Sequence, residues 1–364
     1  MPSREAGRKP VRVVVADDSA LARQVLCELF ASDPEIEVVG VAQNGMEAVA
    51  VVARVRPDIV TMDLRMPGTD GLAATAEIMR CTPTPVLLVT SSDFRLREAD
   101  IFDSFRFGIV DVLEKPALTE DGTRSDAARI LIEKVKLLSR IKVTQTDRKP
   151  VARSPQAGTG GRGAQTGGAR AIGIGASTGG PRALPEVLGR VPPDLAAPVL
   201  VAQHMSGPFV PAFAEWLGAE SSLPVSVAHD GETPRPGRVL VAPGGLNMVL
   251  DDAGVVRLNS DPAPAGIRPS VDLLLASLAR VYGARAVGVV MTGIGKDGTE
   301  GLRAIQRAGG TTLVQDAASC VVAGMPSAAV AQGVVDAVVE LELLGKRLAE
   351  LVARAPRRGS EGQP

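Results

Sequence analysis

VRVVVADDSALARQVLCELFA, residues 11–31, decides the architecture of the first part of the chain. A β-branched run, Val11–Ala16, ends in two carboxylates, Asp17 and Asp18. Ser19 follows as a helix N-cap residue, and Leu21, Val25 and Leu29 recur at the spacing of one helical face. Further runs lie at Glu37–Ala42, Asp58–Asp63, Pro85–Thr90 and Asp111–Lys115, with helical periodicity between them. Five such βα units over residues 10–142 predict an α/β domain, a doubly wound parallel sheet covered by helices on both faces. Ligands of such sheets bind at the carboxyl ends of the strands. Asp17, Asp18, Asp63 and Lys115 all fall there.

Beyond this unit the composition changes. Thr144–Arg170 holds six glycines and two prolines with almost nothing apolar. Such a segment buries too little to order itself, so residues 143–169 are expected to be a flexible linker. A Gly-rich coil of about 26 residues spans roughly 28 Å, so the flanking domains can touch. Residues 355–364 are expected to be a disordered tail. Between them, residues 170–354 repeat the α/β style, with strands at Ala171–Ala176, Val199–Gln203, Val225–His229, Val239–Ala242, Ala286–Thr292 and Thr311–Gln315. Met248–Leu258 reads as a hairpin turning at Asp251–Gly254, and helices are expected after Gly180, Pro208, Pro269 and Gly298. The pattern predicts an α/β/α sandwich with a mostly parallel sheet.

Composition limits the function classes. Apolar residues make up 45% of the chain but aromatics only 2%, so the cores must be aliphatic. Basic and acidic side chains number 40 and 41, which argues against a nucleic-acid or membrane surface. No helix-turn-helix pattern supports a DNA-binding output either. Cys27, Cys81 and Cys320 are scattered and form no CxxC pair, as in reduced proteins. No signal core and no run of about 18 apolar residues is present. A cytoplasmic monomer that is not inserted in the membrane is expected.

The acidic strand ends carry the first chemistry. Three converging carboxylates repel one another unless a cation intervenes, and hard oxygen donors suit Mg²⁺. A carboxylate beside Mg²⁺ can attack a phosphoryl group whose charge the metal offsets, with Lys115 as a second cation and the Thr90 hydroxyl nearby. Any one of these Asp residues alone is more simply a cap or turn former, but the full set at several strand ends is not. VVVADDSALAR, VTMDLRMPGTDG, VTSS and EKP resemble the signatures of two-component receiver domains. The resemblance implies Asp63 as phospho-acceptor and a histidine kinase as phosphodonor. It further implies Mg²⁺ held by Asp17, Asp18, Asp63 and the Arg65 carbonyl, Thr90 and Lys115 as switch residues, and a cis Lys115–Pro116 bond. Many receivers carry an aromatic residue where this chain has Val112, so an aromatic rotamer switch is not expected.

In the second unit, Gly175-Ala-Ser177-Thr-Gly179-Gly180-Pro181 follows a strand and opens a helix. The glycines allow a tight turn that exposes a serine hydroxyl, and amides from Thr178 to Gly180 are placed to bind an oxyanion. A dinucleotide turn is disfavoured, because Thr178 stands where the third glycine of G-x-G-x-x-G belongs. A serine acting only as a cap remains the alternative. A nucleophile needs a base and an orienting acid. His204 and His229 both follow strands, and Asp297 and Asp316 are the candidate acids. IGIGASTGGPRAL, VAQHMSGPF, APGG, RPSVD, MTGIGKDGTEGL and VQDAASCVVAGMP resemble the catalytic domain of the chemotaxis-type protein-glutamate methylesterases. The resemblance implies Ser177 as nucleophile, His204 as base and Asp297 as orienting acid, with no cofactor in this domain. Its implied substrates are glutamyl methyl esters and glutamines of chemoreceptor-type proteins. In some relatives Met stands at the position of Ile294. A phospho-switched scaffold with a dead hydrolase domain is the non-enzymatic alternative, and it would need a broken triad.

Overall fold

The computed structural model describes residues 9–91, 102, 105, 108–116, 126–141 and 170–353. The expected linker and tail lie outside them. The first unit forms β1 (Val11–Ala16), α1 (Ala20–Ala31), β2 (Ile36–Ala42), α2 (Gly45–Val55), β3 (Ile59–Met62), α3 (Gly71–Cys81), β4 (Val86–Thr90), β5 (Ile109–Glu114) and α4 (Asp126–Leu138). Its five strands are all parallel, in the order β2-β1-β3-β4-β5. This is a doubly wound sheet whose order reverses between β1 and β3. The uninterrupted burial of β3 and β4 follows from helices covering both faces.

Ser19 caps α1, its side chain accepting the amide of Ala22. The helix buries a different face from the one expected. Leu26 and Phe30 are fully enclosed, whereas Leu21 is 63% exposed. A stripe shifted by one residue places the bulky Phe30 inward, and enclosing that ring outweighs enclosing Leu21. The peptide before Pro116 is not cis; the cis peptide among the described residues is Arg268–Pro269. X–Pro isomers differ by only about 0.5–1 kcal/mol, so a Lys-Pro motif does not by itself fix the isomer.

The second unit runs β6 (Ala171–Ala176), α5 (Gly180–Leu188), β7 (Val199–Gln203), α6 (Val210–Glu220), β8 (Val225–Val227), β9 (Val239–Val241), β10 (Asn247–Leu250), β11 (Val256–Asn259), α7 (Val271–Tyr282), β12 (Ala286–Val290), α8 (Thr299–Arg307), β13 (Thr311–Gln315), α9 (Gly324–Ala331), β14 (Ala337–Val339) and α10 (Leu341–Ala353). Seven strands form a wholly parallel sheet, β14-β13-β12-β6-β7-β9-β8, and β10–β11 form a separate antiparallel ribbon. The edge strand β14 and the helices α9 and α10 were not anticipated: Ala337–Val339 is only three residues long and partly exposed, too short to show a period. From β6 the chain winds outward through β7, then returns to place β12 on the other side of β6. The carboxyl ends of β6, β7 and β12 thus meet at the reversal point, the natural mouth for a ligand site.

Candidate active site

In the first unit, Asp17 and Asp63 follow β1 and β3 and are buried. Asp17, Asp18 and Asp63 each present a carboxylate oxygen within 4.8 Å of the others. Lys115 reaches in from the end of β5, its Nζ 2.6 Å from Asp17 Oδ2 and 2.8 Å from Asp63 Oδ2. Burial raises the Asp17 carboxyl above its usual range, in spite of the ammonium beside it. Burial alone would lower the Lys115 ammonium, but its two carboxylate partners outweigh this and raise it. Converging hard oxygens with one exposed member suit a small divalent cation that keeps some of its water. Arg65 lies two residues past Asp63, and Thr90 ends β4 with its side chain buried. Val112 is enclosed in the apolar core, so the position of the common aromatic switch is filled by an aliphatic packing residue.

In the second unit, Ser177 follows β6, His204 follows β7, and Asp297 lies in the loop after β12. They are 4%, 9% and 2% exposed. The register that pairs Ala176 with Gln203 sets the first two side by side, and His204 N–H donates to the Ala176 carbonyl. The Ser177 amide donates to the Thr292 carbonyl, tying the serine to β12's end. Ser177 itself does not take positive φ; Gly179 does, at 84°. The sharp turn therefore falls two residues after the serine, where a side chain would be strained. Pro181 then sits in the first turn of α5.

His204 Nε2 lies 2.9 Å from Asp297 Oδ2. Asp297 is held by four further donors. Its Oδ2 accepts the amide of Val271 (2.8 Å), and its Oδ1 accepts the amides of Asp272 (2.9 Å) and Gly298 (3.0 Å) and the Ser270 hydroxyl (3.3 Å). Burial alone would raise this carboxyl, but the His204 hydrogen bond and these amides outweigh it and hold it low. An ionised Asp297 accepts a hydrogen bond from Nε2–H, which leaves Nδ1 as the lone-pair nitrogen. Nδ1 is buried and has no hydrogen-bond partner. Gln203 ties the site together, donating to the carbonyls of Ser177 and His204.

Other sequence candidates lie elsewhere. His229 is 82% exposed and faces Glu232. Asp316 closes a local turn, accepting the amides of Ala318 and Ser319. The Gly180 amide is engaged by the Ser177 carbonyl, which removes it from the expected set of oxyanion donors and leaves Thr178 and Gly179. Asp272, Ser270 and Gln203 were missed. An acid in a helix's first turn reads as a dipole partner, and nothing in the sequence shows that it faces a second acid.

The two units meet at this site. Thr178, next to the serine, donates from Oγ1 to Asp111 Oδ2 of β5 at 2.6 Å, and the same carboxylate oxygen pairs with Lys134 Nζ at 2.6 Å. Phe102 packs against Phe213 and Trp216 of α6 with ring centroids 5.4 and 5.6 Å away, and against Phe105 at 5.9 Å. Val322, whose carbonyl accepts the amide of Gly293, packs on the first unit's core.

The family models that match this chain describe the same two units. Residues 13–124 match the response regulator receiver domain and residues 172–348 the CheB methylesterase domain. A protein-glutamate methylesterase/protein-glutamine glutaminase from Anaeromyxobacter dehalogenans is 44% identical over 95% of this chain and 98% of its own length. One from Symbiobacterium thermophilum is 39% identical, with 97% and 99% covered. The crystal structure of the Thermotoga maritima CheB methylesterase catalytic domain is 37% identical, covers 51% of this chain and all of its own, and superposes with a TM-score of 0.50. The fold and site thus define a receiver-coupled α/β hydrolase. The chain belongs to the protein-glutamate methylesterase/protein-glutamine glutaminase family.

Proposed function

We propose that this chain is a phosphorylation-activated serine hydrolase that demethylates glutamyl methyl esters, and deamidates glutamines, on chemoreceptor-type proteins. The observation that carries the reading is the buried Asp297–His204 pair, with its vacant Nδ1, at the sheet edge that also presents Ser177. In this reading the chain divides into a receiver (10–142), a linker (143–169), a methylesterase domain (170–354) and a tail (355–364).

Ser177 Oγ attacks the δ-carbonyl of the glutamyl ester as His204 Nδ1 takes its proton. The Thr178 and Gly179 amides stabilise the oxyanion at the start of α5. Asp297 keeps the Nε2 tautomer and balances the imidazolium. Collapse breaks the C–O bond, and His204 returns the proton to departing methanol. Water, deprotonated by His204, hydrolyses the acyl-enzyme to glutamate and free Ser177. A glutamine reacts likewise, with ammonia leaving. No step calls on a cofactor in this domain.

In the receiver, Asp17, Asp18 and Asp63, with the Arg65 carbonyl, would hold Mg²⁺, which when bound offsets phosphoryl charge. Asp63 accepts the phosphoryl group from a histidine kinase, and Lys115 and Thr90 engage its oxygens. The docked receiver covers the serine's neighbour Thr178, and phosphorylation biases the two units toward separation. No described helix is long and apolar enough to cross a membrane. The protein acts from the cytoplasm, as a monomer, on membrane receptors.

The test is methanol release from methylated receptor membranes, with and without a small phosphodonor. Wild type should release methanol faster with phosphodonor. Ser177→Ala should release none and should lose covalent labelling by a fluorophosphonate. Labelling that survives Ser177→Ala would place the nucleophile elsewhere.

A further inference from the structure

Asp272, in the first turn of α7, takes no part in the steps above, yet it is 7% exposed and lies against Asp297. Its Oδ1 accepts the amides of Gly298 and Gly301, both at 2.8 Å, at the amino end of α8. Asp297, just before α8, in turn accepts the amides of Val271 and Asp272 at the amino end of α7. Each acid therefore caps the helix that carries or follows the other. A helix start presents unpaired amides and partial positive charge, so each carboxylate sits where an anion is favoured.

The arrangement has a cost that points to use. Two buried carboxylates repel, and burial with the charge of Asp297 pushes the Asp272 carboxyl up to about 6, against the pull of the Gly301 and Gly298 amides. A neutral side chain could cap α8 without that conflict. Charged groups around the pair are few. Asp297 faces Asp272 directly, and His204 bears on it through Asp297. Lys296 and Glu300, on the same loop and helix, are exposed. The ribbon contributes only the neutral Asn247, which accepts the Ser270 amide.

We propose that Asp272 is a positioning residue of the hydrolytic site. Its carboxylate grips the amides of Gly298 and Gly301 and so holds the loop in which Asp297 reaches both α7 and His204 Nε2. The inference rests on the catalytic reading of Ser177, His204 and Asp297. Gly298 has φ of 95° and, as the N-cap of α8, no side chain to cap it, so the amides of Gly298 and Gly301 turn to carboxylates from outside the helix, and Asp272 Oδ1 takes both.

The experiment uses the full chain with phosphodonor, comparing wild type, Asp272→Asn and Asp272→Ala. The readouts are fluorophosphonate labelling rate at Ser177 and the pH profile of kcat/KM. Charge-assisted hydrogen bonds are about twice as strong as neutral ones, so Asp272→Asn should label about 10-fold more slowly at pH 8. Asp272→Ala frees the loop, and misplacement on the scale of 1 Å costs about 100-fold. KM should change little in either. Asn also mimics a protonated Asp272. The wild-type profile should therefore carry an added fall of about 10-fold below about pH 6 that the Asp272→Asn profile lacks. In a His229→Gln background, the remaining imidazole N–H signal in proton NMR should shift upfield in Asp272→Asn as the His204–Asp297 bond loosens. That readout stands even where Asp272→Ala does not fold. Wild-type labelling rate, pH profile and imidazole signal in folded Asp272→Asn would overturn the proposal alone. Failure of wild type to label at Ser177 would overturn the catalytic reading, and this proposal with it.

Discussion

Replacing Asp111 by Ala should switch on the unphosphorylated enzyme. Asp111 Oδ2 is the acceptor that joins the receiver to Thr178, one residue from the nucleophile. A buried hydrogen bond to a charged group contributes about 1.5–3 kcal/mol, so its loss should raise the open fraction about 10- to 150-fold. Methanol release without phosphodonor should climb by up to that factor, toward the rate of a fragment starting near Ala169. Release with phosphodonor should barely change, because the latch is then already open. Asp111→Asn keeps the shape and should give an intermediate rise. The seam carries its own reporter. Trp216 is the chain's single tryptophan and packs against Phe102 of the receiver, so opening should red-shift its emission. Lys134 loses its carboxylate in the variant, so retained phosphate uptake at Asp63 must show that the receiver is intact. An intact receiver with unchanged basal rate and unchanged Trp216 emission would refute the idea that this contact holds the site closed.

Other outcomes follow from the same geometry. His204→Gln should cost about 10⁴-fold or more in kcat, whereas exposed His229→Gln should leave methanol release unchanged. Asp63→Asn, or removal of Mg²⁺ by a chelator, should abolish the response to phosphodonor while leaving the basal rate. The Asp272 carboxyl is raised in the folded protein, so the folded state binds its proton more tightly. The stability it confers is present at low pH and is lost as pH rises from about 4 through about 6. Thermal melts of Asp272→Asn should lack that decline, so the variant gains stability relative to wild type between pH 5 and pH 7 even as it loses activity.

The strands and the acidic and serine loops were legible because their signals are local. Val11–Ala16 and Ala171–Ala176 came out with the expected bounds. So did the placement of Asp17, Asp63 and Ser177 just past the ends of strands, whereas the strand order that brings those ends together was not legible. What stayed hidden was set by contacts distant in sequence. The inward face of α1 depends on what Phe30 meets across the core. The pairing of Asp272 with Asp297 joins residues 25 apart through two helix ends. The Asp111–Thr178 contact spans 67 residues and two units, and no periodicity announces it.

The chain has seven Phe, one Trp and one Tyr, and four of these nine rings, Phe102, Phe105, Phe213 and Trp216, gather where the receiver meets the hydrolase. None of the described strands carries an aromatic residue. The seam rings thus bridge the two aliphatic cores without entering the strands of either. Ring substitutions at the seam can tune how tightly the enzyme is held in check across a wide range, while each sheet keeps its own aliphatic filling. A lineage can thus reset its adaptation threshold by exchanging a handful of rings, without redesigning either the phosphate sensor or the chemistry it governs.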